Sequence, residues 1–245
     1  MAFRDISIVL VRTHTPGNLG SAARASKNFG VRDVRLILPA AEPDDEAGRL
    51  ASGADDVLVG MTRFASLSDA VADFDAVVVT SSLRGRDEQR FLELAELPGF
   101  LGELGDSARV VFVFGPERSG LTEEERARGS ACLRLPSRPE FPTLNVAHSV
   151  AAVLAVARMA EGDAPPAPRD TVRDGWAAAR DVEGAIEHWD RALEAIGFYD
   201  TGHRDRSLRA WRKIVAGRPM TAREAAILRG VANRVLVALR LKKDA

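Results

Sequence analysis

The sequence predicts an α/β protein: a parallel sheet with helices on both faces, followed by a small all-helical unit. Three observations carry this expectation. Short apolar runs rich in β-branched residues recur through the first two-thirds of the 245 residues, and they are apolar throughout rather than alternating, as parallel strands buried on both faces require. Helical patterns fill the intervals between them. Beyond "EGDAPPAPRD", Glu161 to Asp170, which is dense in proline and charge, the pattern is helical to the end. Residues 1–160 are therefore expected to form the α/β domain, 161–174 a linker and 175–245 a helical extension.

The elements follow in order. "ISIVLV" and "VRLIL" read as strands around "THTPGNLGSAARASKNFG", Thr13 to Gly30, a glycine-bearing loop that opens a helix. Its glycines, Gly17 and Gly20, lack the G-x-G-x-x-G spacing that cradles a pyrophosphate. "DAVVVTSS" (Asp75 to Ser82), "ARVVFVFG" (Ala108 to Gly115) and the shorter "CLRLP" (Cys132 to Pro136) are further strands. "LTEEERARG" opens with a capping box, Thr122 and Glu125, and Gly129 is placed to end it. "LNVAHSVAAVLAVARMAEG" predicts a long, mostly buried helix closed by Gly162. After the linker, Val182, Ile186, Trp189, Leu193 and Ile196 share one helix face. Leu208, Trp211 and Ile214 share another, and Thr221 with Glu224 starts a last helix with a second capping box.

Composition narrows the setting. Hydrophobic residues make up 46% and charged residues 28%, and Cys132 is the single cysteine. A reducing compartment, the cytoplasm, is expected. The start "MAFRDISIVLVR" lacks the apolar core of a secretion signal, and the longest apolar helical run is too short for a bilayer. Net charge is −1, yet from Thr201 onward 12 basic residues face 3 acidic ones. That basic end fits a polyanionic partner, or equally a helix pair with an arginine-rich solvent face.

Ligands of open parallel sheets bind beyond the carboxyl ends of the strands. Four loops qualify: "THTPGNLGSAAR", "TSSLRGR", "FGPERSGLTEEE" and "LPSRPEFPTLN". The four histidines make no metal-ligand spacing with one another or with Cys132, and no nucleophile elbow, P-loop or zinc-deaminase signature occurs. What remains is a site of asparagines, one glutamate, arginines and backbone amides, suited to a polar small molecule and an anion.

Three ordered blocks, "GNLGSAARASKNFG", "VFVFGPERSGLTEEE" and "LPSRPEFPTLNVAHSVAAVL", resemble the SpoU (TrmH-type) branch of the SPOUT RNA 2′-O-methyltransferases. The opening "IVLVRTHTPGNLGSAARASKNFG", "AIGF" and the tail "LRGVANRV" are similar to its TrmJ subgroup, whose members methylate a ribose in the tRNA anticodon loop. The resemblance implies a C-terminal trefoil knot in the sheet domain, a rare exception to unknotted topology. It also implies S-adenosyl-L-methionine as cofactor and a homodimer whose active site draws on both subunits. RNA is then the partner, tRNA first, with neither DNA nor membrane.

Carried onto this chain, the resemblance makes Arg24, Asn18, Glu117 and Asn145 the catalytic set. Arg24 would anchor RNA and stabilise charge rather than act as base, since arginine stays protonated. Asn18 would fix Arg24 or the ribose. Thr80, Ser81, Ser82, Gly115, Pro116, Glu117, Gly120, Leu135, Thr143, Leu144 and Asn145 would bind the cofactor, with Thr143 where the family usually has serine. The first loop would face RNA. Glu117 also reads as a dipole partner for the helix after Thr122, and Asn145 as a helix cap. Arg24, Arg84, Arg86, Arg204, Arg206, Arg209, Arg212, Lys213 and Arg218 are the RNA-binding candidates, while Trp189 and Trp211 read as core. Two alternatives stay open: a ribosomal RNA ribose methyltransferase, and a catalytically silent RNA-binding protein on the same scaffold.

Overall fold

The computed structural model describes residues 5–81, 90–116, 118–138, 140–163, 175–199, 204–216 and 218–243. Its strands are β1 (Ile6–Val11), β2 (Val34–Ile37), β3 (Thr62–Phe64), β4 (Ala76–Ser81), β5 (Phe91–Glu93), β6 (Val110–Phe114) and β7 (Ala131–Arg134). They form one seven-stranded sheet in the order β3-β2-β1-β6-β4-β7-β5, and every pairing is parallel. The helices are α1 (Pro16–Asn28), α2 (Asp45–Ala51), α3 (Asp55–Val59), α4 (Leu67–Val71), α5 (Leu97–Leu104), α6 (Glu123–Arg126) and α7 (Val146–Asp163), then α8 (Ala179–Ala195), α9 (Arg204–Ala216) and α10 (Ala222–Lys243).

Strand alternation splits the core in two. Ile8, Leu10, Val78, Val110 and Phe112 face one side, where α1, α5 and α7 cover them. Val9, Val11, Val77, Val79 and Val113 face the other, beneath α4 and Leu121, with Ala179 of α8 at the margin. Both faces are dry, so the strands read as continuous apolar runs. The short edge strands β3 and β5 escape that signal, because three residues carry too little pattern.

Gly20 shows what the first loop's glycines do. A Cβ there would stand 2.0 Å from the Ala47 carbonyl oxygen, so glycine lets α1 lie against α2. They are packing glycines, not a phosphate cradle.

Three local expectations are corrected. α7 passes through Gly162 to Asp163, since one glycine in a last turn costs only about 1 kcal/mol. α6 ends at Arg126, and Gly129 instead admits the close approach of Val79 and the Ala131 carbonyl. On α9 Ile214 is 70% exposed, and Val215 packs inward with Leu208 and Trp211.

The helical region docks on the sheet domain. Ala179 N donates to Phe74 O (2.8 Å), Arg180 N to Ala72 O (3.1 Å) and Trp176 Nε1 to Leu104 O (2.8 Å). Trp189 and Trp211 stack on each other, centroids 5.6 Å apart, within the helical unit. Among the described residues no helix is long and apolar enough to cross a membrane.

Candidate functional site

The carboxyl ends of β4, β6 and β7 open into a cleft of about 350 Å³. Its walls include Thr80, Ser81, Gly115, Pro116, Gly120, Leu135, Thr143 and Leu144, so eight of the expected cofactor residues meet there. Ser82 and Glu117 lie outside the described residues. The loop after β6 is folded back tightly. Gly120 N donates to Pro116 O (2.8 Å), and Gly120 takes φ +62°, open to glycine at little cost. A Cβ on Gly115 would lie 2.5 Å from Leu121 N. Thr80 Oγ1 donates to Val113 O (3.0 Å), which ties the β4 end to β6. The cleft offers backbone amides and carbonyls beside leucine and proline surface, as a flat heterocycle joined to a polar chain requires.

A second cleft adjoins it, lined by His14, Thr15, Asn18, Arg118, Phe141, Thr143, Leu144 and Asn145. Arg118, Thr143 and Leu144 line both. Asn145 is the hinge of this arrangement. Its Oδ1 accepts from Ala147 N (2.9 Å), capping α7, and its Nδ2 donates to Asn18 Oδ1 (2.8 Å). The cap and the site contact are thus one side chain. Arg24 is not brought to this group. It stands on the exposed side of α1, six residues and about 9 Å along the helix from Asn18, with no hydrogen bond or ion pair among the described residues.

Just past the end of β1, Arg12 pairs through both terminal guanidinium nitrogens with Glu125. Arg12 sits at φ +50°, a strained conformation for a non-glycine residue. Glu125 also accepts from Thr122 N (2.7 Å), completing the α6 capping box. Burial alone would push the Glu125 carboxyl up, but Arg12 and Thr122 outweigh it and hold it below the usual carboxylate range. The pair ties the loop after β1 to the helix after the β6 loop. Arg126, next along α6, donates to Leu121 O (2.6 Å) and lines the first cleft.

Sequence reasoning missed Arg118, Arg126, Ser149 and Phe141 as lining residues. Arg118 and Phe141 sit inside the quoted motifs, so the signal was position within a motif. Ser149, one turn into α7, also falls inside the third quoted block, where it read only as part of a buried helix.

The basic candidates divide by partner. Arg204 pairs with Asp190 and Glu194, Arg209 with Glu123 (3.7 Å), Arg212 with Glu183, and Arg218 with Glu224. Arg212 is only 15% exposed, and Glu183 also reaches Arg128 (3.6 Å), so it bolts the helical region to the sheet domain. Arg206 is exposed with no hydrogen bond or ion pair among the described residues, while Lys213 has a partner. Arg84 and Arg86 lie outside the described residues. A third cleft, about 280 Å³ between the two regions, opens at the amino ends of β4 and β7, near Asp75 and Ser130. Arg212 and Arg128 in its wall both pair with Glu183, as in a packing seam.

Known proteins share this organisation. The profile of the SpoU rRNA Methylase family matches residues 5–155, and that of the tRNA methyltransferase TrmJ C-terminal domain matches residues 180–244. The tRNA (cytidine/uridine-2′-O-)-methyltransferase TrmJ of Pectobacterium atrosepticum is 32% identical over 232 residues, covering 94% of this chain and 96% of the relative. The crystal structure of TrmJ from Z. mobilis ZM4 superposes with a TM-score of 0.80 at 28% identity, covering 96% of this chain and 99% of that one. An AdoMet-bound rRNA methyltransferase from Sinorhizobium meliloti matches at TM-score 0.52 and 25% identity, over 64% of this chain and 57% of that one. With a parallel sheet whose carboxyl-end loops meet in one cleft, and a helical region matching the TrmJ C-terminal domain, the chain belongs to the SpoU methylase family.

Proposed function

We propose that this protein is an S-adenosylmethionine-dependent RNA ribose 2′-O-methyltransferase that acts on a cytidine or uridine in the tRNA anticodon loop. The observation that carries the reading is the meeting of the two clefts along Arg118, Thr143 and Leu144. One cleft fits the cofactor, with the folded-back Gly115–Gly120 loop and Leu135 around it. The other is lined by a hydrogen-bonded asparagine pair, Asn18 and Asn145. The resemblance to TrmJ in both halves of the chain favours tRNA over ribosomal RNA.

S-adenosylmethionine, when bound, supplies an electrophilic methyl on sulfonium. The chain's own residues must align a ribose hydroxyl with it and accommodate the proton that leaves. Thr80, Ser81, Ser82, Gly115, Pro116, Glu117, Gly120, Leu135, Thr143 and Leu144 are assigned to the cofactor. Asn18 and Asn145 hold the ribose, and such positioning can supply several kcal/mol. Arg24 anchors the RNA backbone. Its exposed position away from its own clefts fits a homodimer in which each subunit's Arg24 serves its partner's site. The loops after β4, β6 and β7 form the family's trefoil knot in this reading.

Residues 1–160 are assigned catalysis and 175–245 RNA binding, through Arg206 and those arginines whose carboxylate partners lie on the surface. Arg84 and Arg86 join them. The cytoplasm, where tRNA is met, is the working compartment.

The test is methyl transfer from labelled S-adenosylmethionine to bulk tRNA and, separately, to ribosomal RNA, followed by nucleoside mapping. A 2′-O-methylated anticodon-loop cytidine or uridine in tRNA alone is expected. Label in ribosomal RNA alone would overturn the substrate. Arg24→Ala should abolish transfer and leave cofactor affinity unchanged; lost cofactor binding would contradict its role.

A further inference from the structure

The cofactor cleft has one open neighbour, and its lining differs in kind. Among the described residues around it there is no acid: His14, Asn18, Arg118 and Asn145 supply polar groups, and Phe141 supplies an aromatic ring. Phe141 is 78% exposed, a large apolar surface left in water. Phe141 N donates to Arg138 O (3.0 Å), and Ser137 Oγ donates to Pro142 O (2.9 Å), so hydrogen bonds hold the backbone on either side of the ring. Arg118 is likewise unspent. Arg12, Arg35, Arg90, Arg109 and Arg134 all hold carboxylates, whereas Arg118 is exposed without a hydrogen bond or ion pair among the described residues.

We propose that this second cleft seats the acceptor nucleotide, with Phe141 stacking on its base and Arg118 holding a neighbouring phosphate. The inference rests on the methyltransferase reading above and adds how the nucleotide is gripped. The distribution of groups matches the three parts of a nucleotide. Asn145 follows Thr143 and Leu144, which line both clefts, so its amide and the bonded amide of Asn18 stand next to the rim where a ribose hydroxyl must arrive. In the same lining the ring is there for a base taken out of its stack, and the guanidinium, which lines both clefts, for a phosphate. An aromatic face holds any base, because every base has a π-face. Grip by stacking therefore predicts tolerance between the two pyrimidines rather than strict choice. A guanidinium on phosphate adds affinity and salt dependence without reading sequence.

Steady-state methylation of bulk tRNA by the full-length protein tests this, with cofactor affinity measured in parallel by equilibrium dialysis. Phe141→Ala should lower kcat/KM for tRNA by about 10-fold or more, and Phe141→Tyr should restore most of it. Cofactor affinity should stay unchanged in both, which also shows that the variants fold. Arg118→Ala should raise KM for tRNA and reduce the slope of log affinity on log salt by about one. Full tRNA kinetics in Phe141→Ala, or an equal loss of cofactor affinity, would overturn the nucleotide seat while the wild type still methylates tRNA. A wild type that methylates no RNA would overturn the reading beneath it as well.

Discussion

Asn145 uses both ends of its amide, and that makes cap and site separable by substitution. Asn145→Ala removes the α7 cap and the bond to Asn18 together, so unfolding free energy should fall by about 1 kcal/mol and methyl transfer should collapse. Asn145→Asp keeps a good cap at a helix N-terminus but places a negative charge on the second cleft. Thermal stability should return while methyl transfer does not; recovery of both would reduce Asn145 to a cap. The residue type and its place before a helix were legible in the sequence. Its bond to Asn18 was not, because the two stand 127 positions apart and only the sheet brings them together. Arg118 and Phe141 were passed over for a related reason: exposure and lack of a partner are properties of the folded surface.

At the scale of elements, α1 carries Asn18 and lies against α2 only because Gly20 has no side chain. Gly20→Ala would drive a methyl group into the Ala47 carbonyl, and backbone cannot swing aside as a flexible side chain can. A loss of about 1–3 kcal/mol is expected, or about 2–4 °C in melting temperature per kcal/mol. Since α1 must tilt to relieve the clash, tRNA methylation should fall with it. An unchanged melting curve would mean that α2 yields freely. α6 makes a different point. Its capping box was legible from the Thr122 and Glu125 spacing, but the same carboxylate also receives Arg12 from the end of β1. Local spacing reports the cap, and the second role depends on which strand lies beside which.

The whole molecule is tied at the amino ends of its strands by charge. Arg35, 11% exposed, lies over the rings of Phe74 (4.5 Å) and Phe64 (5.3 Å) and bonds Asp33, Asp73 and Ala70 O. Arg109 adds Asp5 and a second contact to Asp73. The Arg35 hydrogen bond holds the Asp73 carboxyl down to about 2, against burial, which would raise it. A folded value below the unfolded one, near 3.9, contributes stability that is full above that value. It is lost as pH falls from about 4 towards 2. The contribution is about 2 kcal/mol. Asp73→Asn should therefore destabilise the protein at pH 7 and flatten its acid-induced loss of stability between pH 4 and 2. An unaltered acid limb in chemical denaturation would assign that loss to other carboxylates, of which Glu224 and Glu125 are also held low.

Strand and helix identity, the capping boxes, the parallel sheet and the family likeness all belong to the sequence alone, because each depends on residues close along the chain. Apolar runs buried on both faces leave that mark before any contact is known. What the tertiary structure decided is which of those pieces meet. It placed Asn18 on Asn145 and Arg12 on Glu125, spent Arg212 on the seam with Glu183, and left Arg118 and Phe141 open on the second cleft. Partnership across a hundred residues is set by strand order and by the faces that packing leaves uncovered. Neither is written in any short stretch of sequence.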